Sequence, residues 1–170
     1  GRKAKELDKV LAWLRQPEHR PDVLSLSNGL LIGMARRIRA ELQIPVVATL
    51  QGEDVFLDSL RPPFNADAWA LMRERAQDVS RFVAISQYYG RTMASRLGLP
   101  ADQIAVVPNG INLDGFDRAA EPPPRTIGFL ARLTPLKGPH HLVEAFILLR
   151  SQGRCPGVCL KIAGAQTGAD

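Results

Sequence analysis

Six short runs rich in apolar residues, separated mostly by stretches of helical period, constrain this chain more than any other feature. "PVVATL" (45–50) is the clearest of the runs. It is continuously apolar but for one threonine and is bounded by Pro45 and Gly52, as expected of a strand buried on both faces. "PDVLSLS", "RFVAIS", "QIAVVP", "RTIGFL" and "VCLKIAG" read the same way. Between them lie the helical patterns. "KAKELDKVLAWLR" places Leu7, Val10, Leu11 and Leu14 on one face, and "GLLIGMARRIRAEL" places Leu31, Met34, Ala35, Ile38 and Leu42 on another. "NADAWALMRERAQDV" (65–79) follows Asn65 as an N-cap, and "QYYGRTMASRL" lies between a Ser86 cap and a Gly98 stop. A last helix is expected from Pro139 to Arg150. Strands alternating with helices predict an α/β fold: an open parallel sheet, right-handed crossovers and helices over both faces.

The proline-rich "EPPP" (121–124) is the natural boundary. About 110 residues precede it and about 46 follow, too few for an independent α/β domain. The chain therefore reads as the end of one domain joined to the beginning of another, truncated at both ends. "GRKAKELDKV", with neither methionine nor an apolar core, reads as an internal cut rather than a signal peptide.

Charge narrows the partners. Basic residues outnumber acidic ones by 22 to 17, a net charge of +5, which favours anions such as phosphates, anionic headgroups or nucleic acid. The cations are scattered, without a basic block or interleaved aromatics, which argues against nucleic acid. No window approaches the 18 or so uncharged apolar residues of a membrane span. Cys155 and Cys159, in "CPGVC", have neither redox nor metal-ligand spacing and read as reduced structural thiols of a cytosolic protein.

In open parallel sheets, ligands bind beyond the carboxyl ends of the strands. The informative ends are "SLSNG", "ATLQGEDVF", "VAIS" and "FLARLTPLKG". None contains a dinucleotide fingerprint or a phosphate-binding P-loop, and there is no Asp-x-Asp pair to hold a metal. In the last of them Arg132 and Lys137 flank a proline turn, and Gly138 and Pro139 suit the start of a helix. Free N–H groups and the helix dipole there favour an anion, to which Arg132 offers a planar fork and Lys137 a mobile point charge. The other reading is a solvated basic loop. Glu53 and Asp54, after a buried strand and a glycine, either orient sugar hydroxyls or cap the next helix. His140 and His141 are adjacent and read as helix-surface residues, and His19 as a loop residue. No nucleophilic triad can be assembled from them.

Taken together, "PDVLSLSNGLLIG", "IPVVATLQGEDVF", "RFVAISQYYGRTMASRLGLPADQIAVVPNGINLDGF" and "TIGFLARLTPLKGPHHLVEAFILL" resemble the retaining glycosyltransferases of the group 1, or family four, class. They run in the family's order and cover most of the chain. The resemblance implies Rossmann-like halves of a GT-B architecture. Residues 1–112 would belong to the acceptor-side domain, 113–124 to the linker, and 125–170 to the first β-α-β unit of the nucleotide-sugar domain. It places Arg132 and Lys137 at the donor diphosphate, and Gln51, Gly52, Glu53, Asp54, Asn109 and Gly110 on the sugar or acceptor side. Catalytic residues stay unassigned, and neither metal nor cofactor is expected beyond the nucleoside-diphosphate sugar itself.

The departures are specific. Gln51 stands where the family usually has a histidine, and Ala131 where it usually has a glycine. The family's glycine-rich amino-terminal loop and its later pair of glutamates are not in this sequence. The expectation is part of an enzyme moving a hexose from a nucleotide sugar to a saccharide or lipid-linked hydroxyl, the isolated piece being inactive. The alternatives are a non-catalytic binding module of the same fold, motivated by Gln51, and a nucleotide-sugar epimerase. A cytoplasmic protein is expected, with peripheral contact at the inner face of a membrane left open. Self-association or swapping of the C-terminal β-α-β unit is expected, because truncation exposes an apolar sheet edge and leaves that unit with faces to bury.

Overall fold

The computed structural model describes residues 2–116 and 124–165. Two compact units divide the chain, Gly1–Ile111 and Asn112–Asp170. Most of the expected linker, residues 117–123, lies outside the described residues, as do residues 166–170.

The first unit runs α1 (Arg2–Leu14), β1 (Leu24–Leu26), α2 (Ala35–Leu42), β2 (Val46–Leu50), α3 (Glu53–Ser59), α4 (Phe64–Ala76), β3 (Arg81–Ala84), α5 (Gln87–Leu97) and β4 (Ile104–Val106). The strands form one parallel sheet in the order β1-β2-β3-β4. Register pairs Leu26 with Ala48, Ala48 with Phe82, and Ala84 with Val106. In a parallel sheet those partners share a face. That face carries the core: Leu26, Val46, Ala48, Leu50, Phe82 and Ala84 are all buried.

The opposite face corrects an expectation. Val47, Thr49 and Val83 are only half-buried and Arg81 is exposed, so β2 alternates instead of being buried throughout. The strand order explains this. Each crossover advances the sheet in the same direction, and crossovers of one hand taken in one direction stack their helices on one face. Coverage of both faces needs a reversal of strand order, which this sheet does not contain among the described residues.

Local chemistry sets the helix ends. The Ser86 hydroxyl accepts from the Tyr89 N–H at 3.1 Å, and Gly98 closes α5 in the left-handed conformation, both as expected. Asn65 is instead inside α4, which starts one residue earlier after Pro63. The segment expected to be one helix before Leu42 begins as a 3-10 turn, Gly29–Met34, capped by Asn28. Three residues per turn move the buried set to Gly29, Ile32 and Ala35, leaving Leu31 exposed. On α1, Leu11 and Leu14 are buried while Val10 is exposed.

The second unit contains β5 (Thr126–Leu130), α6 (Pro139–Ser151) and β6 (Cys159–Ala163). β5 and β6 pair in parallel across the α6 crossover, as the sequence predicts. None of its described residues is buried, and Leu130, Ile147 and Leu148 are largely exposed. Cys155 and Cys159 are free and exposed, unlike buried structural thiols. No helix among the described residues is long and apolar enough to cross a membrane.

Candidate functional site

At the carboxyl edge of the first sheet, the loops after β1, β2 and β3 converge on one side chain. Glu53, the first residue of α3, is 2% exposed and carries a carboxylate with four donors around it. Its Oε1 accepts from the Gly29 N–H at 2.7 Å. Its Oε2 accepts from the N–H groups of Gln51 and Gly52 at 2.8 and 3.1 Å, and from the Tyr89 hydroxyl at 2.9 Å. A buried carboxylate without partners would be strongly unfavourable, and charge-assisted bonds of this kind are the strong ones. Glu53 thereby ties the β1 loop, the β2 loop and α5 together.

Two glycines make that closure feasible. A Cβ on Gly29 would lie 2.9 Å from Met72 Cε, 3.0 Å from Leu50 Cδ2 and 3.1 Å from Glu53 Oε1. Gly52 precedes α3 with φ of 109°, a conformation that side-chain-bearing residues rarely adopt. Burial above all, then the hydrogen bond and negative charge of Glu53, raise the Tyr89 phenol well above its ordinary 10.0. Asp54, half-buried, approaches the same hydroxyl at 3.0 Å. One phenolic hydrogen serves one of these carboxylates at a time.

Of the residues expected on the sugar or acceptor side, Gln51 and Gly52 are exposed at this mouth. The Gln51 amide donates to the Ser27 carbonyl at 3.2 Å, bridging the β1 and β2 loops. Asn109 and Gly110 are exposed on the irregular segment that leaves the sheet after β4. Farther along α3, the Asp58 carboxylate accepts from Arg96 at 2.7 Å and from the Trp69 indole at 2.9 Å. The Arg96 bond first, and the Trp69 bond second, hold the Asp58 carboxyl below its ordinary value. Sequence reasoning missed Tyr89 and Gly29. Their partner is 36 and 24 residues away respectively, and no local spacing announces such a contact.

In the second unit, the loop after β5 carries Arg132 and Lys137. The ladder continues past the strands, with Ala131 N–H donating to the Ala163 carbonyl and Leu133 N–H to that of Ala165. Lys137 ends the 3-10 turn Pro135–Lys137, and Gly138, at φ of 70°, joins that turn to α6. Pro139 opens α6, and no side chain caps its amino terminus. Gly164 backs the loop, since a Cβ there would meet the Ala131 carbonyl oxygen at 1.7 Å. Arg132 and Lys137 are exposed, and among the described residues neither has an ion pair. The arrangement sets two cations and an uncapped helix terminus along one short loop, a combination suited to anions.

His140 and His141 lie on the exposed surface of α6 with ring centroids 3.9 Å apart. Among the described residues no group of three or more His, Cys, Asp or Glu side chains is placed to hold a metal.

Comparison with known proteins places this architecture. Solved structures match this chain, among them three with TM-scores of 0.55 to 0.65. The Anabaena protein HepE in complex with UDP-glucose is 18% identical, aligned over 96% of this chain and 44% of its own, with a TM-score of 0.65. HepE with UDP and glucose is 16% identical over 98% and 53%, also at 0.65. The apo form of the lipopolysaccharide outer core galactosyltransferase WaaB is 16% identical over 98% and 49%, at 0.55. The chain thus spans about half the length of the solved chains it matches. Likeness at these identities shows the fold, which is that of the GT-B glycosyltransferases. Among curated proteins none matches this sequence. The sequence model of the family described as Glycosyltransferase Family 4 matches residues 2–114, which is most of the first unit, with Glu53 and its partners inside it. The chain belongs to Glycosyltransferase Family 4.

Proposed function

We propose that this chain is part of a retaining, metal-independent transferase that moves a hexose from a nucleoside-diphosphate sugar to a saccharide or lipid-linked hydroxyl. The loop Arg132–Gly138 in front of the uncapped α6 terminus is the observation that carries the reading. Breaking a sugar–phosphate bond builds negative charge on the departing diphosphate. Preorganised cations and helix N–H groups stabilise that charge as it develops, and so lower the barrier. Arg132 binds two phosphate oxygens with its fork, and Lys137 adds a charge that follows the leaving group. The sugar acquires oxocarbenium character, as in glycoside hydrolysis.

The mouth of the first sheet takes the acceptor side. Gln51, Gly52, Asp54, Asn109 and Gly110 face the substrate, and Glu53 holds the loops that present them. HepE, solved with UDP-glucose and with UDP, supports a nucleotide-sugar donor. We place the protein in the cytoplasm, peripheral to the inner face of a membrane.

The test is product analysis with the full-length protein. Transfer with the donor's anomeric configuration kept, in the presence of a chelator, is the expected result. Inverted product, or dependence on a divalent ion, removes the mechanism. An altered nucleotide sugar formed without acceptor identifies an epimerase instead. A second reading, a non-catalytic binding module, rests on Gln51, whose amide is engaged with Ser27 and carries no basic group. It predicts nucleotide-sugar binding without any product.

A further inference from the structure

The mouth of the first sheet holds more carboxylate oxygens than the one phenol beside them can serve. The Tyr89 hydroxyl lies 2.9 Å from Glu53 Oε2 and 3.0 Å from Asp54 Oδ1. It carries one hydrogen, and an ionised carboxylate can only accept. Glu53 does not depend on that hydrogen, because the N–H groups of Gly29, Gln51 and Gly52 also donate to it. Asp54 has no such reserve. Among the described residues its carboxylate has no donor but Tyr89 and no ion pair. Arg96, on the same helix as Tyr89, bonds instead to Asp58 at 2.7 Å. With the phenol hydrogen on Glu53, Asp54 Oδ1 faces the phenol oxygen across 3.0 Å with no hydrogen between them. Glu53 and Tyr89 are 2% and 8% exposed, whereas Asp54 is half-buried beside the exposed Gln51 and Gly52. A donor from outside the protein therefore reaches Asp54 first.

We infer that Asp54 takes a hydrogen bond from a hydroxyl of a neutral saccharide, and that Tyr89 is the positioning residue that leaves Asp54 open to it. The inference deepens the acceptor reading of this mouth and rests on it. The ligand hydroxyl supplies the donor that Asp54 lacks, and the Tyr89 O–H settles on Glu53. Binding and the tie between the loops then support each other, because the ligand ends the competition for one hydrogen. An anionic group at the same place would meet two carboxylates.

The test is a nuclear magnetic resonance titration of the full-length protein, ring-labelled at tyrosine, with the methyl α-glycosides of glucose, galactose and mannose. The Cζ signal of Tyr89 reports the hydrogen bond of the phenol and is identified by its loss in Tyr89→Phe. Saturable binding of at least one glycoside is expected, with the Tyr89 signal moving along the same curve. Asp54→Ala should weaken that binding about tenfold or more, as loss of a hydrogen bond to a charged group does, and should remove the movement. Asp54→Asn keeps an accepting oxygen and should retain part of the affinity. A tyrosine that only holds the fold would not respond to a saccharide. The inference is overturned by no saturable binding of any of the three, by binding without movement of the Tyr89 signal, or by undiminished binding in Asp54→Ala. Binding of the ammonium-bearing methyl glucosaminide alone would overturn it as well. The readout needs no nucleotide sugar. Binding with this response but without transfer keeps the subsite and loses the proposed function, and transfer without the response does the reverse.

Discussion

The hydroxyl of Tyr89 donates to the carboxylate of Glu53 at 2.9 Å, joining α5 to the first turn of α3. With the Gly29, Gln51 and Gly52 N–H groups on the same carboxylate, this contact sets the shape of the mouth at the carboxyl edge of the first sheet. Glu53→Gln keeps the volume but aims an amide N–H₂ at donors, and should cost about 3 kcal/mol; Tyr89→Phe should cost about 2 kcal/mol. Urea unfolding of both single variants and the double variant checks this. The double variant should lose less than the sum, because the two changes break a shared bond.

The Tyr89 phenol should also resist ionisation. Its pKa is raised in the folded chain, so the stability it contributes is present below its ordinary 10.0 and fades as pH rises beyond that. In a Tyr88→Phe variant, phenolate absorbance should appear only together with loss of helical circular dichroism. A phenol that titrates while the helices persist would show that Glu53 does not hold it.

Acid acts farther along α3, at Asp58. Arg96 and Trp69 lower the Asp58 pKa, so the contribution of this cluster is present above the ordinary carboxylate value of 3.8 and is lost as pH falls through the depressed one. Arg96 lies 4.8 Å over the Trp69 ring, which makes Trp69 fluorescence the reporter. Its emission should shift in that acid range, and Asp58→Asn should abolish the transition.

Gly164→Ala probes the loop of the second unit from behind. Its Cβ cannot coexist with the Ala131 carbonyl, so the segment entering Arg132 must move. On the proposed function, turnover of the full-length protein should fall by up to about 100-fold, the scale of an ångström's misplacement. Unchanged turnover would show that the placement of Arg132 is immaterial.

Much of the fold is local information, and that part was legible. Ser86 and Gly98 bracket α5 because capping is decided within a turn of the chain, and Gly138-Pro139 opens α6 for the same reason. The buried set before Leu42 was misjudged because a 3-10 turn and an α-helix differ by a fraction of a residue per turn, too little to read from Leu31 and Ile32 side by side. Coverage of both sheet faces was misjudged because it depends on strand order, which no single strand encodes. In the site, the loop holding Arg132 and Lys137 could be read as one contiguous stretch. Glu53 could be located but its role left open, since Gly29 and Tyr89 reach it across the sheet edge.

The central claim is that Arg132 and Lys137 hold the donor diphosphate. Calorimetric titration of the full-length protein with UDP-glucose, beside an Arg132→Ala, Lys137→Ala variant, tests it most directly. Both side chains are exposed, so the variant should keep its urea midpoint. Its affinity should fall about 10- to 100-fold, the loss expected for two charge-assisted contacts to phosphate. Equal affinity in a wild type that binds UDP-glucose would contradict the account.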